Sequence, residues 1–461
     1  MEYRLSGAAA FTAALLVCTS AEAQAAQAER AETPEWQGVA LGFEPPKAGL
    51  LGDMLGIRPI LEDHGFHYTL GYLSQLSYNA GGGYNHDKQA SYIDQFSFTF
   101  SQDLEALTGI PDAAIEGNIV NRNHDNSLTR DRLQDQRVNI TDLSQESYGG
   151  QSITRLGWLT FSRSFDDRRL HWRIGLMNKV QDFDQIIPCD FQTLNLCGGK
   201  SASSLTWYNW NVHYWGTTLQ YKLTDGLTLK TGVLEQNPQA TSRSHAWSWS
   251  TKGSKGILLP VELELKTNYF NQLPGIYNLG VLFTNAEQQD LYRGVSGGPG
   301  ATDPDGYRTH DRTWFLYTGF NQQVTRHADD ANRGLSVSYS LGVGDKRSNY
   351  IHYTTSASVR YRGMFDARPN DWLGLGVSMV KVSDSYKDNL RYLNQINNAS
   401  SSSDPNYYPI PGHSVTAELY YRVEVTPWLQ LQPGLQYWHH PGGVSDTQDA
   451  WVTALKTVVT F

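Results

Sequence analysis

The sequence predicts an all-β fold: a sixteen-stranded antiparallel transmembrane β-barrel with short periplasmic turns and long extracellular loops. Three observations predict it. Apolar and polar residues alternate with period two in segment after segment between Phe66 and Phe461. The connections between these segments alternate between short and long. The last segment, Trp451–Phe461, keeps the strand period to its final aromatic residue, with Trp451, Leu455, Val459 and Phe461 on one face and Ala454, Lys456 and Thr460 on the other. Chain termini usually fray, but a barrel needs its last strand to close the ring and remove the open edge.

Composition agrees. Charged residues make up 18% of the 461 residues and aromatic residues 12%. The mean hydropathy is negative, and there is no run of about 18 apolar residues, so no transmembrane helix is expected. A polar average with many aromatics suits strands that face lipid on one side and water on the other. A net charge of −9 argues against a nucleic-acid partner. A large soluble β protein is the alternative, but it would not require export, loop asymmetry and a strand ending on Phe461 together.

Residues 1–25 read as a cleaved export signal: Arg4, an apolar core from Ala8 to Cys18, and small residues at Ala21, Ala23 and Ala25. Residues 26–65 read as a periplasmic lead, with a short helix over Gly52–His64 that Pro59 interrupts. Residues 66–461 form the barrel. In its first half, Tyr68, Leu70 and Tyr72, then Phe96, Phe98 and Phe100, share outer faces. Ile115 and Ile119 oppose Glu116 and Asn118. Residues 154–165 make a strand of undetermined facing, because Arg155, Leu159 and Phe161 share parity. Leu170, Trp172 and Ile174 oppose His171 and Arg173. Later strands alternate more cleanly: Val261, Leu263 and Leu265 against Glu262, Glu264 and Lys266, and Leu373, Leu375 and Val377 against Gly374, Gly376 and Ser378. Turns at 166–169, 224–226, 271–275, 366–370 and 426–428 are short. The loops 123–153, 179–213, 237–256, 285–310 and 383–412 are long and polar. Sixteen strands are too many for side chains to fill, so an aqueous bore is expected.

Several stretches then resemble one family, the carbohydrate-selective porins typified by OprB. They are Leu51-Gly-Asp-Met54, Arg58-Pro59 with Leu61-Glu-Asp-His-Gly65, Val233-Leu-Glu-Gln-Asn-Pro238, Gly256-Ile-Leu-Leu-Pro-Val-Glu-Leu263, Leu273-Pro-Gly-Ile-Tyr-Asn-Leu-Gly280, Leu431-Gln-Pro-Gly-Leu-Gln-Tyr437 with Pro441-Gly-Gly443, and the closing Phe461. The resemblance runs from about residue 50 to 461. It implies passive, weakly selective passage of glucose-like monosaccharides or small oligosaccharides through the outer membrane of a Gram-negative cell, with no cofactor and no catalysis. A general diffusion porin and, behind it, an outer-membrane barrel hydrolase are the alternatives. The implied partners are sugars in transit, outer-membrane lipid and lipopolysaccharide, the barrel assembly machinery through Phe461, and further copies of the chain.

A sugar presents hydroxyls and patches of C–H, so its path needs aromatic faces and charged hydrogen-bonding groups. The candidate pore-lining residues are Trp207, Trp210, Trp247 and Trp249 in two long loops, and the inward-facing Arg122, Arg173, Glu262, Arg360, Arg362 and Glu418. Tryptophans at strand ends also form interface girdles, which is the expectation for Trp215, Trp428 and Trp451. Cys189 and Cys197, close together in an exported chain, favour a disulfide worth about 2.5 kcal/mol by loop closure, with two free thiols as the alternative. The resemblance likewise implies a disulfide in this loop. No catalytic setting surrounds any Ser, His or Asp. No metal site is expected: Asp303-Pro-Asp-Gly306 lacks the other ligands of a calcium loop, and His439-His440 before Pro441 reads as loop.

Overall fold

In the computed structural model, which describes residues 49–124, 128–138, 144–145, 152–196, 207–328 and 330–461, the alternating segments are strands. They are β1 (Phe66–Gly83), β2 (Ala90–Asp103), β3 (Ala113–Asn123), β4 (Thr154–Phe165), β5 (Leu170–Met177), β6 (Tyr214–Lys222), β7 (Leu227–Gln236), β8 (Gly256–Phe270), β9 (Leu273–Thr284), β12 (Thr313–Gln323), β13 (Gly334–Gly344), β14 (Ile351–Arg362), β15 (Trp372–Val382), β16 (His413–Thr426), β17 (Leu429–His439) and β18 (Gln448–Thr460). A separate hairpin, β10 (Gln288–Gly294) with β11 (Tyr307–His310), stands in the loop between β9 and β12. Sequence periodicity missed it, since its two short strands flank a Gly-rich stretch. The sixteen long strands pair antiparallel with their neighbours, and the ring closes where β1 meets β18, from Gly71↔Thr460 to Gly83↔Gln448. Both sheet edges are consumed by that seam. The proposed signal lies outside the described residues, as does Cys197.

The two faces are inverted relative to a soluble protein. Outward positions are apolar and exposed: Leu76, Phe96, Leu263, Leu279, Val377, Leu419, Leu435, Trp451 and Leu455. Inward positions are polar and buried: Gln75, Asn118, Thr218, Glu262, Ser340, Thr416, Glu418, Gln436 and Lys456. A contiguous exposed apolar band of this extent is a lipid-facing surface. No described helix is long and apolar enough to cross a membrane. The short connections gather at one end, and the long ones at the other.

Two local features depart from the sequence reading. The lead's helix α1 is shorter than expected, Ile57–Asp63, so Pro59 sits in its first turn, where no backbone donor is required, and does not break it. Arg58 of α1 donates to the carbonyls of Tyr68 and Phe461 at 3.3 and 3.2 Å, which ties the lead to the seam. In β4 the undetermined facing has a cause: a bulge at Gly157, where Asn118 pairs with Trp158 but Ile119 pairs with Leu156. One extra residue reverses parity. Leu159 and Phe161 therefore lie on the outer face, while Arg155 turns inward and donates to the Ala240 carbonyl at 2.6 Å.

Candidate functional site

The bore is shaped by the loop between β5 and β6, whose described parts are residues 178–196 and 207–213. It folds inward and follows the inner wall. A loop backbone buried in this way must find partners for its N–H and C=O groups. The wall supplies them in order. Asn178 donates to the bulge residue Gly157 at 3.0 Å. Asp182 accepts from Arg173 of β5 at 3.2 Å, and from Thr218 and Gln220 of β6 at 2.5 and 2.8 Å. The Asp184 N–H donates to Glu262 of β8 at 2.7 Å, and Tyr317 of β12 donates to the same carboxylate at 2.8 Å. Lys230 of β7 pairs with Glu262 at 2.9 Å. Asp190 receives Arg360 of β14 at 2.7 Å and the Tyr420 hydroxyl of β16 at 2.6 Å. Lys456 of β18 donates to the Cys189, Asp190 and Phe191 carbonyls at 3.4, 3.2 and 3.4 Å. The Gln192 and Thr193 N–H groups donate to Glu418 of β16 at 2.7 and 2.8 Å, and the Gln192 side chain reaches Ser77 of β1. Carboxylates thus meet loop donors, and cations meet loop carbonyls.

Electrostatics reinforces the anchoring. Burial opposes ionisation of Asp182, but the Arg173 guanidinium and the Thr218 hydroxyl outweigh it and hold the carboxyl below the usual carboxylate range. Asp190 behaves alike: burial is overcome by Arg360, Arg422 and the Tyr420 hydroxyl. Apolar packing completes the contact. Phe191 and Leu196 press against Gly376 of β15, where a Cβ would lie 2.9 Å from each.

The four candidate tryptophans part company. Trp207 is buried, packs between Phe183 and Tyr317 at 5.3 and 6.3 Å, and donates to the Tyr214 hydroxyl. It is a core residue of the inward loop with no face to offer a solute. Trp210 is half-buried inside the bore: it donates to Asn118 at 2.9 Å, and the Arg122 guanidinium lies 5.1 Å from its ring. Trp249 is 57% exposed and meets Trp215 edge-on at 6.2 Å. Trp215 shares its face with the outward Leu219 and Tyr221, so this pair belongs to the rim of the apolar band, not to the bore. Trp247 is half-exposed and bonds to the Thr154 carbonyl at the long-loop end of β4.

The comparisons with known proteins agree with this geometry. The model of the carbohydrate-selective porin, OprB family, matches residues 87–461. Porin B of Pseudomonas aeruginosa is 36% identical over 423 residues, covering 91% of this chain and 92% of that protein. The chain belongs to the carbohydrate-selective porin family. A solved structure of Pseudomonas putida OprB superposes with a TM-score of 0.88 at 34% identity, covering 91% of this chain and all of that one. The porin fold and family place the barrel in the outer membrane and exclude the hydrolase alternative, since members are channels.

Within this porin, the predicted inward charges face the bore but are mostly engaged with protein. Arg173 pairs with Glu116 as well as Asp182, and Arg360, Glu262 and Glu418 hold the inward loop. These four are 8% exposed or less. Arg122 and Arg362 each lie over a tryptophan ring, Trp210 for Arg122 and Trp372 for Arg362 at 5.7 Å, as Arg360 lies over Phe191 at 5.2 Å; Arg122 also donates to Gln95 at 2.7 Å. Arg422 also lies 5.1 Å from the Trp372 ring. Trp372 was missed as a candidate, although its parity with Gly374, Gly376 and Ser378 marks it as inward. Asp190 and Lys456 were missed because their partners are remote in sequence.

Proposed function

We propose that this porin passes neutral sugars, glucose-like monosaccharides or small oligosaccharides, by diffusion over two aromatic–arginine platforms: Trp210 with Arg122, and Trp372 with Arg362 and Arg422. The observation that carries the reading is the half-buried Trp372 flanked by two guanidinium groups on the bore wall. The indole ring contacts sugar C–H, and the guanidinium groups that lie over it offer donors to the hydroxyls. Multiple weak contacts let a solute enter and leave. The bore charges Arg173 with Glu116 and Asp182, and Arg360 with Asp190, neutralise one another, which favours a neutral solute over either ion.

Further parts of the reading are finer. A Cys189–Cys197 disulfide would staple the inward loop next to the carbonyls that Lys456 holds. Residues 1–25 would direct export, and residues 26–65 would sit at the periplasmic floor. Phe461 would be read by the barrel assembly machinery, and the outward apolar band would meet lipid and lipopolysaccharide. Liposome swelling with glucose against an amino acid of similar size tests the selectivity. Faster glucose entry supports it, and equal rates reduce the protein to a general diffusion porin.

A further inference from the structure

Three histidines from two stretches of the chain, the start of β16 and the end of β17, meet at the long-loop rim of the barrel. His413 opens β16, His439 ends β17, and His440 follows it. One nitrogen from each can be chosen so that all lie within 4.8 Å of one another. The arrangement depends on a departure from strand geometry. Neighbouring residues on a strand point to opposite faces. His440 is left-handed, with φ 49°, a conformation that is uncommon for a non-glycine residue. That turn folds its ring onto His439 with centroids 3.7 Å apart, while His413 closes on His440 at 5.8 Å.

A second observation concerns Asp449 of β18. Its carboxylate lies 3.0 and 3.1 Å from Nδ1 of His439, and it also accepts the His440 backbone N–H at 3.2 Å and the Tyr437 hydroxyl at 2.5 Å. A carboxylate on one imidazole nitrogen fixes the tautomer and leaves Nε2 as a lone-pair donor, which is the usual support of a metal-ligating histidine. Lys381 stands across the strand pair from His413. Its charge disfavours a site that attracts cations by field alone, and Asp449 supplies the compensating negative charge. His439 and Asp449 share outward parity with Leu435, Tyr437 and Trp451, so the cluster faces outward, just beyond the Tyr437–Trp451 ring pair.

We propose that His413, His439 and His440 bind one divalent transition-metal ion of the zinc class, with Asp449 as the positioning carboxylate. Imidazole suits such ions. Tetrahedral bonds of about 2.1 Å need nitrogens about 3.3 Å apart, so the rings must close by at most about 1.5 Å, which half-exposed side chains can do. The ion would clip the start of β16 to the β17–β18 turn, where Gly412 already donates to the Gly443 carbonyl at 2.7 Å.

The test is titration of the detergent-purified barrel with Co2+, followed by its visible absorption, and with Zn2+ by calorimetry. One ion per chain is expected. Binding should be lost in the H413A/H439A/H440A variant and weakened about 10–100-fold in D449N. Absence of binding, or binding unchanged in the triple variant, overturns the proposal. Unboiled gel mobility checks that each variant is folded. Diethyl pyrocarbonate mapping of the unmutated protein needs no variant: Zn2+ should shield these three histidines but not the exposed His67 and His86. Equal modification with and without Zn2+ also overturns it.

Discussion

Asp190 and Arg360 meet at 2.7 Å although 170 positions separate them in the chain, and both are almost wholly buried. One lies on the inward loop and the other on the wall. Removing one member of a buried pair leaves the other charge uncompensated, at a cost of about 3–5 kcal/mol. We therefore expect D190N to free the loop at this point while the strands stay paired. Single-channel recordings should show a larger and noisier conductance, with normal unboiled gel mobility. A conductance identical to that of the parent would show that the loop is held without this pair.

The anchoring should resist acid. Both Asp182 and Asp190 have carboxyl groups held below the usual range. A depressed carboxyl contributes stability that is fully present above its unfolded pKa, about 3.9, and is lost as pH falls through the lower folded value. The part of the loop's protease resistance that D182N or D190N removes should therefore hold from neutral pH to about pH 4 and fail below it. Loosening already at pH 6 would contradict this assignment.

Trp210 and Trp372 carry the sugar proposal. An aromatic contact is worth about 0.5–1.5 kcal/mol, so W210A or W372A should raise the sugar concentration that half-blocks ion current about two- to tenfold. W249A should leave it unchanged, because that ring lies against Trp215 at the rim. Equal effects from all three variants would sink the distinction.

Gly376 gives the loop its seat. In G376A the new methyl would press on Phe191 and Leu196. Overpacking of this kind costs about 1–3 kcal/mol. The expected result is a barrel that melts at a lower temperature with altered conductance. An unchanged melting profile would mean that the loop yields freely.

The wall of this protein was legible in its sequence and the contents of the bore were not. Period-two alternation is a local property, and the lipid face enforces it strand by strand, so Leu375 and Val377 could be assigned from their neighbours alone. Gly157 defeated the method because a bulge reverses parity, and the isolated glycine that marks this one is also common in strands that carry no bulge. Trp372 lay within reach, one step back along an assigned face. Trp247 and Trp249 did not, since a loop has no period to say which way a ring points. Glu262, Arg360 and Glu418 were placed inward correctly, but their partners Asp184, Asp190, Gln192 and Thr193 sit in a loop that shows no pattern of its own. Contacts between distant segments leave no spacing to read.

The inward loop and the wall are chemically keyed to one another: Glu262 and Glu418 each await particular amides, and Lys456 awaits three consecutive carbonyls. An engineer who grafted in a foreign loop to retune solute preference would cover these groups with a backbone that offers them no partners. The transplantable module is thus the loop together with the wall residues scattered over β1, β5, β6, β8, β12, β14, β15, β16 and β18 that meet it, and chimeras that respect this boundary should insert and conduct where simple loop swaps would not.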